Sequence, residues 1–254
     1  MPPRWPSSLP PMTWLLDLDG VVWLAERPID GAADAVGRLR EAGERVVFTT
    51  NNSWARIADQ ESKLERMGIA AAGDVVTSAM AAANLVKPGE RVLVAAGPGV
   101  VEAVGGRGAE PVRAGDADAV IVGFHRDFDY ERLRLAMTAV LHGARLIATN
   151  DDATYPTPDG PIPGGGSLAA AVAYASGVTA TVAGKPHRPM ADLVRAIAGD
   201  EGTVVGDRPE TDGAFAAALG YRFALVLTGV TRASDLPVEP EPAIVAASLA
   251  ELVV

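Results

Sequence analysis

Short apolar runs and helical stretches alternate along almost the whole chain. Strand-like runs fall at Trp14–Leu18, Arg45–Thr49, Arg91–Ala95, Ala119–Phe124, Arg145–Thr149, Thr179–Ala183, Thr203–Val205 and Phe223–Leu227. Helical spacing marks Ala32–Ala42, Ala55–Met67, Tyr130–Leu141, Leu168–Ser176, Pro189–Ala198 and Thr211–Leu219 between them. Continuous apolar strands alternating with helices predict α/β architecture, with parallel sheets covered on both faces. In such sheets ligands bind beyond the carboxyl ends of the strands.

Four of those ends carry unusual polar residues: Asp17-Leu18-Asp19-Gly20, Thr49-Thr50-Asn51-Asn52, Gly184-Lys185-Pro186 and Gly206-Asp207-Arg208. Any one could be an ordinary polar cap, but four together ask for a chemical explanation. Between the second and third lies a stretch of about 130 residues with its own alternation of strand and helix, far beyond the usual connection of ~2–6 residues. It predicts an inserted domain at 78–181, a discontinuous core at 13–77 and 182–254, and hinges near Ser78–Ala82 and Thr179–Ala183. The proline-rich segment 150–166 reads as an ordered binding loop, because its prolines restrict φ and lower the entropy lost on ordering. The glycines at 164–166 lack a Walker lysine and the G-x-G-x-x-G spacing, so they predict a turn with Ser167 as helix N-cap.

A length of 254 residues suits one large domain or two modest ones. Although 48% of residues are hydrophobic, no stretch is long and apolar enough for a membrane span. The opening MPPRWPSSLPPM has no apolar core of a secretory signal and predicts a disordered lead-in over 1–12, with Met12 an alternative start. The absence of cysteine excludes disulfides, thiolate metal sites and cysteine nucleophiles, and fits a cytoplasmic location. A formal net charge of −10 argues against nucleic acid or an anionic membrane as partner. It also means that a phosphate could be held only by local positive charge: a metal ion, a lysine or backbone N–H groups.

Asp17 and Asp19 stand two positions apart, and in an extended strand alternate side chains share a face. Asp-Gly is also a common turn pair, so an acidic turn is the plain alternative. Asp17, Asp207 and a backbone carbonyl would suffice to hold Mg²⁺, which takes one or two carboxylates and keeps several waters. Asp17, earlier on its strand, suits attack on phosphorus, and Asp19 suits proton transfer to the leaving oxygen. Thr50 and Asn51 offer donors and Lys185 a compact positive charge for the transferring group. Asp212 reads either as a helix N-terminal acid or as a group behind the metal ligands. His125, His142 and His187 are too scattered for a metal site. Trp23 and Trp54 read as core or as pocket walls, and Arg56 and Arg188 as surface residues or substrate contacts.

DLDGV at 17–21, TTNN at 49–52, GKP at 184–186 and GDRPETD at 206–212 resemble, in order, the four motifs of the haloacid dehalogenase (HAD) superfamily of phosphatases. FTTNNS, ATNDDATYPTPDG, PGGGSLAAAV and AGKPH resemble its NagD-like, p-nitrophenyl phosphatase and phosphoglycolate phosphatase subgroup. The resemblance implies a Rossmann-like doubly wound parallel-sheet core with an inserted α/β cap domain, and a Mg²⁺-dependent phosphomonoester hydrolase acting on a small phosphorylated metabolite through an aspartyl-phosphate. It implies Asp17 as nucleophile, Asp19 as general acid and base, and Mg²⁺ held by Asp17, the Asp19 carbonyl and Asp207, with Asp212 behind them. Thr50, Asn51 and Lys185 would bind phosphate and Asn52 would face the substrate. The cap loop from Asp152 to Tyr155 would set specificity through Thr154 and Tyr155, and a homodimer would form through the cap. Asn150-Asp151-Asp152 departs from the subgroup by an added negative charge, which weighs against a highly anionic substrate. A phosphomutase, or a silent phospholigand-binding protein on the same fold, are the rival readings.

Overall fold

In the computed structural model, which describes residues 12–155, 157 and 160–253, the expected alternation is present. In chain order the elements are β1 (Thr13–Asp17), the short pair β2 (Trp23–Leu24) and β3 (Arg27–Pro28), α1 (Ala32–Glu41), β4 (Arg45–Thr50), α2 (Ile57–Arg66), β5 (Val75–Thr77) and α3 (Ser78–Ala83). There follow β6 (Arg91–Ala95), α4 (Pro98–Gly106), β7 (Glu110–Val112), β8 (Ala119–Val122), α5 (Tyr130–Leu141), β9 (Arg145–Ala148), β10 (Thr154–Tyr155), β11 (Ile162–Pro163), α6 (Gly165–Ser176) and β12 (Thr181–Val182). The chain continues through α7 (Arg188–Ala198), β13 (Gly202–Gly206), a π-turn (Pro209–Gly213), α8 (Ala214–Leu219), β14 (Arg222–Val226), β15 (Ile244–Ala246) and α9 (Leu249–Leu252). The expected lead-in lies outside the described residues except for Met12, whose carbonyl accepts from the Arg45 N–H at 3.2 Å. Pro156, Pro158 and Asp159 of the proline-rich loop are likewise outside them.

The chain divides into two compact units, one running to Thr50 and adding Gln60–Val76 and the residues from Ala191 onward, the other made of Asn51–Asp59 and Thr77–Met190. The first contains a six-stranded sheet in the order β15-β14-β13-β1-β4-β5. β1 pairs in parallel with β13 and β4, and β14 pairs in parallel with β13 and β15. Because both faces are covered, every residue of β13 is buried, as is all of β1 except Asp17. One covering helix, α1, buries Ala32, Ala35, Val36 and Leu39, the spacing of a single helical face. That face joins Trp14, Leu16 and Phe48 in one core; truncating a residue such as Leu39 to alanine there costs about 2–5 kcal/mol. Succession runs outward from β1 to β4 and β5 and, in the other direction, from β13 to β14 and β15. The reversal point, where open α/β sheets bind ligands, therefore falls between β1 and β13.

The second unit has a five-stranded sheet in the order β12-β9-β8-β6-β7, with all four pairings parallel. Leu93, Val120, Val122, Leu146 and Val172 form the centre of its core. α5 is capped by Asp129, whose carboxylate accepts from the Arg132 N–H at 2.8 Å.

The segment Ser78–Ala82, where a hinge is expected, lies in α3, with Thr77 as its N-cap. One local expectation needs correction. Ser167 is not an N-cap: α6 begins at Gly165 with Gly164 as its cap, and the Ser167 hydroxyl donates to the Ala153 carbonyl at 2.6 Å. The glycines serve close packing instead, since a Cβ on Gly164 would lie 2.3 Å from the Asp152 carbonyl oxygen and one on Gly166 2.3 Å from the Asp151 carbonyl carbon. Among the described residues, no helix is long and apolar enough to cross a membrane.

Candidate active site

The two central strands of the six-stranded sheet each deliver an acid. Asp17 is the last residue of β1, and Asp207 directly follows β13. Leu16 stands in register with Val205, so both acids emerge on either side of the reversal point. Asp212 reaches the same place by another route. The N–H groups of Asp212 and Gly213 both donate to the Arg208 carbonyl, at 2.7 and 3.4 Å, and the longer-range of the two defines the π-turn. Such turns are frequent at functional sites. Carboxylate oxygens of Asp17, Asp207 and Asp212 all lie within 4.8 Å of one another, with Asp207 and Asp212 buried.

Backbone donors and glycines set this cluster in place. Asp207 Oδ2 accepts from the Val230 N–H at 2.6 Å, and its carbonyl accepts from the Thr231 hydroxyl at 2.6 Å. The Asp212 carboxylate accepts from the Arg208 N–H at 3.2 Å. Gly20, with φ of 88°, occupies a left-handed conformation, and a Cβ there would stand 2.6 Å from the Asp207 carboxylate. The Thr228 hydroxyl donates to the Gly20 carbonyl at 2.5 Å, which fixes that turn from β14.

Three carboxylates so close repel one another; each ionised pair at ~5 Å costs roughly 3 kcal/mol at an effective dielectric near 20. A hard divalent cation removes that cost, and an all-oxygen donor set of this kind suits magnesium or calcium. The residues present therefore fit such an ion.

The Trp23 indole N–H donates to Asp19 Oδ1 at 2.9 Å. Lys63 in turn places its ammonium 4.2 Å from the Trp23 ring centroid. The indole is almost fully buried, so Trp23 is both core and a partner of the candidate acid. Sequence reasoning missed that second role, as it missed Thr228 and Val230.

Thr50 closes β4 and is buried. The second unit contains the other candidates. The Asn51 side chain bridges to the backbone of Lys185 twice, accepting from its N–H at 2.8 Å and donating to its carbonyl at 3.0 Å. Lys185 is 2% exposed. Asn51 also donates to Asp152 at 3.2 Å, and its carbonyl accepts from Ser78 and Asn150. Asn52 turns its carboxamide oxygen to the Trp54 N–H at 3.0 Å. Asp151, the added charge, pairs with His187 at 2.8 Å. Thr154 is exposed, whereas Tyr155 is half-buried and stacks on Phe124 with ring centroids 4.8 Å apart.

The acid cluster stands at the reversal point of a doubly wound sheet, where such sheets bind ligands, and comparison with known proteins gives the class. Residues 14–110 match the haloacid dehalogenase-like hydrolase family and residues 182–252 the HAD-hydrolase-like family. The chain belongs to the haloacid dehalogenase-like hydrolases. It is 39% identical over 231 residues to D-glycerol 3-phosphate phosphatase of Mycobacterium tuberculosis, covering 87% of this chain and spanning 64% of that relative. It is 32% identical to acid sugar phosphatase of Staphylococcus saprophyticus, covering 90% and 91% of the two chains. The crystal structure of a glycerol phosphate phosphatase from Mycobacterium tuberculosis in complex with magnesium superposes with a TM-score of 0.87 and 36% identity, covering 94% of this chain and 75% of that one.

Proposed function

We propose that the chain is a Mg²⁺-dependent phosphatase that hydrolyses a small phosphorylated metabolite, of the kind its relatives' names describe, through an aspartyl-phosphate. The observation that carries this reading is the placement of the Asp17, Asp207 and Asp212 carboxylates within 4.8 Å at the reversal point of the sheet. Asp17, Asp207 and the Asp19 carbonyl hold the ion, with Asp212 beside them, and the ion neutralises the acids and draws in the phosphate.

An Asp17 oxygen bonds to phosphorus as the bond from phosphorus to the leaving oxygen breaks, and Asp19 gives that oxygen a proton. Water then attacks phosphorus, Asp19 takes its proton, and the bond to Asp17 breaks to release inorganic phosphate. Thr50, Asn51 and Lys185 bind the phosphoryl oxygens, and burial of Lys185 strengthens its pull. Asn52 faces the organic part. The second unit serves as the cap, with Thr154 and Tyr155 reading that part, and the Asn51–Asp152 bond ties their loop to the phosphate-binding residues. A homodimer through this cap and a cytoplasmic location complete the proposal.

Purified protein should release p-nitrophenol from p-nitrophenyl phosphate with Mg²⁺ and lose this in excess chelator. Asp17→Asn should abolish turnover with an unchanged circular dichroism spectrum. Full activity in chelator would overturn the proposal.

A further inference from the structure

The five-stranded sheet of the second unit has a reversal point of its own. β6 is followed by β7 on one side, while β8 is followed by β9 and β12 on the other. A cavity of about 500 Å³ opens there, lined by Val94, Ala96 and Gly97 at the end of β6, Arg113 after β7 and His125 after β8. Small-ligand pockets span ~300–1,000 Å³ and favour such places.

One wall is the Trp54 indole, and it is built in. A Cβ on Gly97 would lie 2.5 Å from that ring, so the indole rests directly on glycine backbone. The Trp54 carbonyl accepts from the Gly99 N–H at 2.9 Å, and Phe124 and His125 stand edge-on to the ring at 6.1 and 5.9 Å. Such a fixed face suits stacking by a planar ring.

The polar lining has one sign in excess. Arg56, Arg113 and Arg132 face the cavity against Glu102 and Asp127, in a chain whose net charge is −10. Glu102 is already engaged by the Ile57 N–H at 3.0 Å, and Arg132 donates to the Asp127 carbonyl at 3.0 Å. The guanidinium groups of Arg56 and Arg113 have no hydrogen-bond or carboxylate partner among the described residues. His125 accepts the Asp127 N–H on Nδ1 at 3.1 Å. Burial, then the Arg132 and Arg113 charges, hold it below its ordinary value, so in the neutral ring Nε2–H remains a donor.

We infer that this cavity is a binding site for a planar organic anion, an aryl or heteroaryl ring bearing a carboxylate, sulfonate or phosphate. The ring stacks on Trp54, and the anion is gripped by Arg56 and Arg113. The site consists wholly of second-unit residues and does not depend on the phosphatase reading.

The test is a fluorescence titration of the full chain, stripped of metal with chelator, using 8-anilino-1-naphthalenesulfonate as the anionic ring and N-phenyl-1-naphthylamine as its uncharged counterpart. Arg56→Ala and Arg113→Ala should each weaken the anionic probe by about tenfold or more, the scale of one charge-assisted hydrogen bond. The uncharged probe should bind wild type weaker than the anion by a similar factor, and Arg107→Ala, outside the cavity, should change nothing. Unchanged affinity in both arginine variants, or equal binding of the two probes, would overturn the inference. Because metal is absent throughout, failure here leaves the hydrolytic activity untouched.

Discussion

In the proposed mechanism, replacing Trp23 by phenylalanine removes the hydrogen bond that orients Asp19 for proton transfer. The substitution keeps an aromatic ring in a position that is 2% exposed, and with it the face over which Lys63 sits at 4.2 Å. It removes the indole N–H that bonds Asp19 Oδ1 at 2.9 Å, together with some buried ring volume, whose cost falls on stability and is read from the melting temperature. A hydrogen bond to a charged group is worth about 1.5–3 kcal/mol. Asp19 is only half-buried, and water can replace part of that bond, so about 1–1.5 kcal/mol of orienting energy is lost. At ~1.4 kcal/mol per decade this lowers kcat by roughly 5–15-fold on an alkyl phosphate, whose leaving oxygen needs the proton. On p-nitrophenyl phosphate, whose leaving group needs little protonation, the loss should be no more than about twofold. The assay is phosphate release from both esters under saturating Mg²⁺, with the melting temperature as a check on folding. An equal loss on both esters, or no loss on either from a folded variant, would refute the positioning role of Trp23.

Asp19→Asn should lose about 10²–10⁴-fold on the alkyl ester and clearly less on p-nitrophenyl phosphate, read from kcat on each; equal losses would remove Asp19 from the leaving-group step. Tyr155→Ala, which breaks the stack on Phe124, should lower kcat/KM for a substrate with a large organic part by roughly 1–3 kcal/mol of transition-state binding. A small ester should barely notice it, and a changed melting temperature without any change in specificity would make Tyr155 structural. His125 is held below its ordinary value of 6.5, chiefly by burial. Its contribution to stability is therefore present above that value and lost as pH falls through the lower folded one. His125→Gln should flatten the decline in melting temperature below about pH 6.5 relative to wild type, and parallel pH curves for the two proteins would contradict this.

The buried parallel strands were legible because each is a run of apolar residues with no polar alternation, as in Val46–Phe48 or Val204–Val205. α4 escaped notice because Pro98 opens it and glycines stand at 99, 105 and 106, a composition that reads as turn. β7 and β15, at three residues each, are too short to show a period. Asp17 and Asp207 could be found as acids at strand ends, and their adjacency follows from parallel pairing of β1 with β13. Asp212 could not be placed in the same way. It sits in the π-turn at Pro209–Gly213, whereas the sequence pattern predicts a regular helix from Thr211. The grip of Trp23 on Asp19 spans an irregular loop, and that of Val230 on Asp207 depends on the path after β14. Neither has a local sequence signal.

In the proposed mechanism Asp17 becomes covalently phosphorylated. Rapid acid quench of the enzyme during turnover of a ³²P-labelled ester with Mg²⁺, followed by peptide mapping, tests it directly. An acid-stable, hydroxylamine-sensitive label is expected on the peptide containing Asp17, absent from Asp17→Asn and raised in Asp19→Asn when an aryl ester forms it, because hydrolysis of the intermediate then lacks its base. Turnover at full rate with no label on that peptide, or with label on another residue, would contradict it.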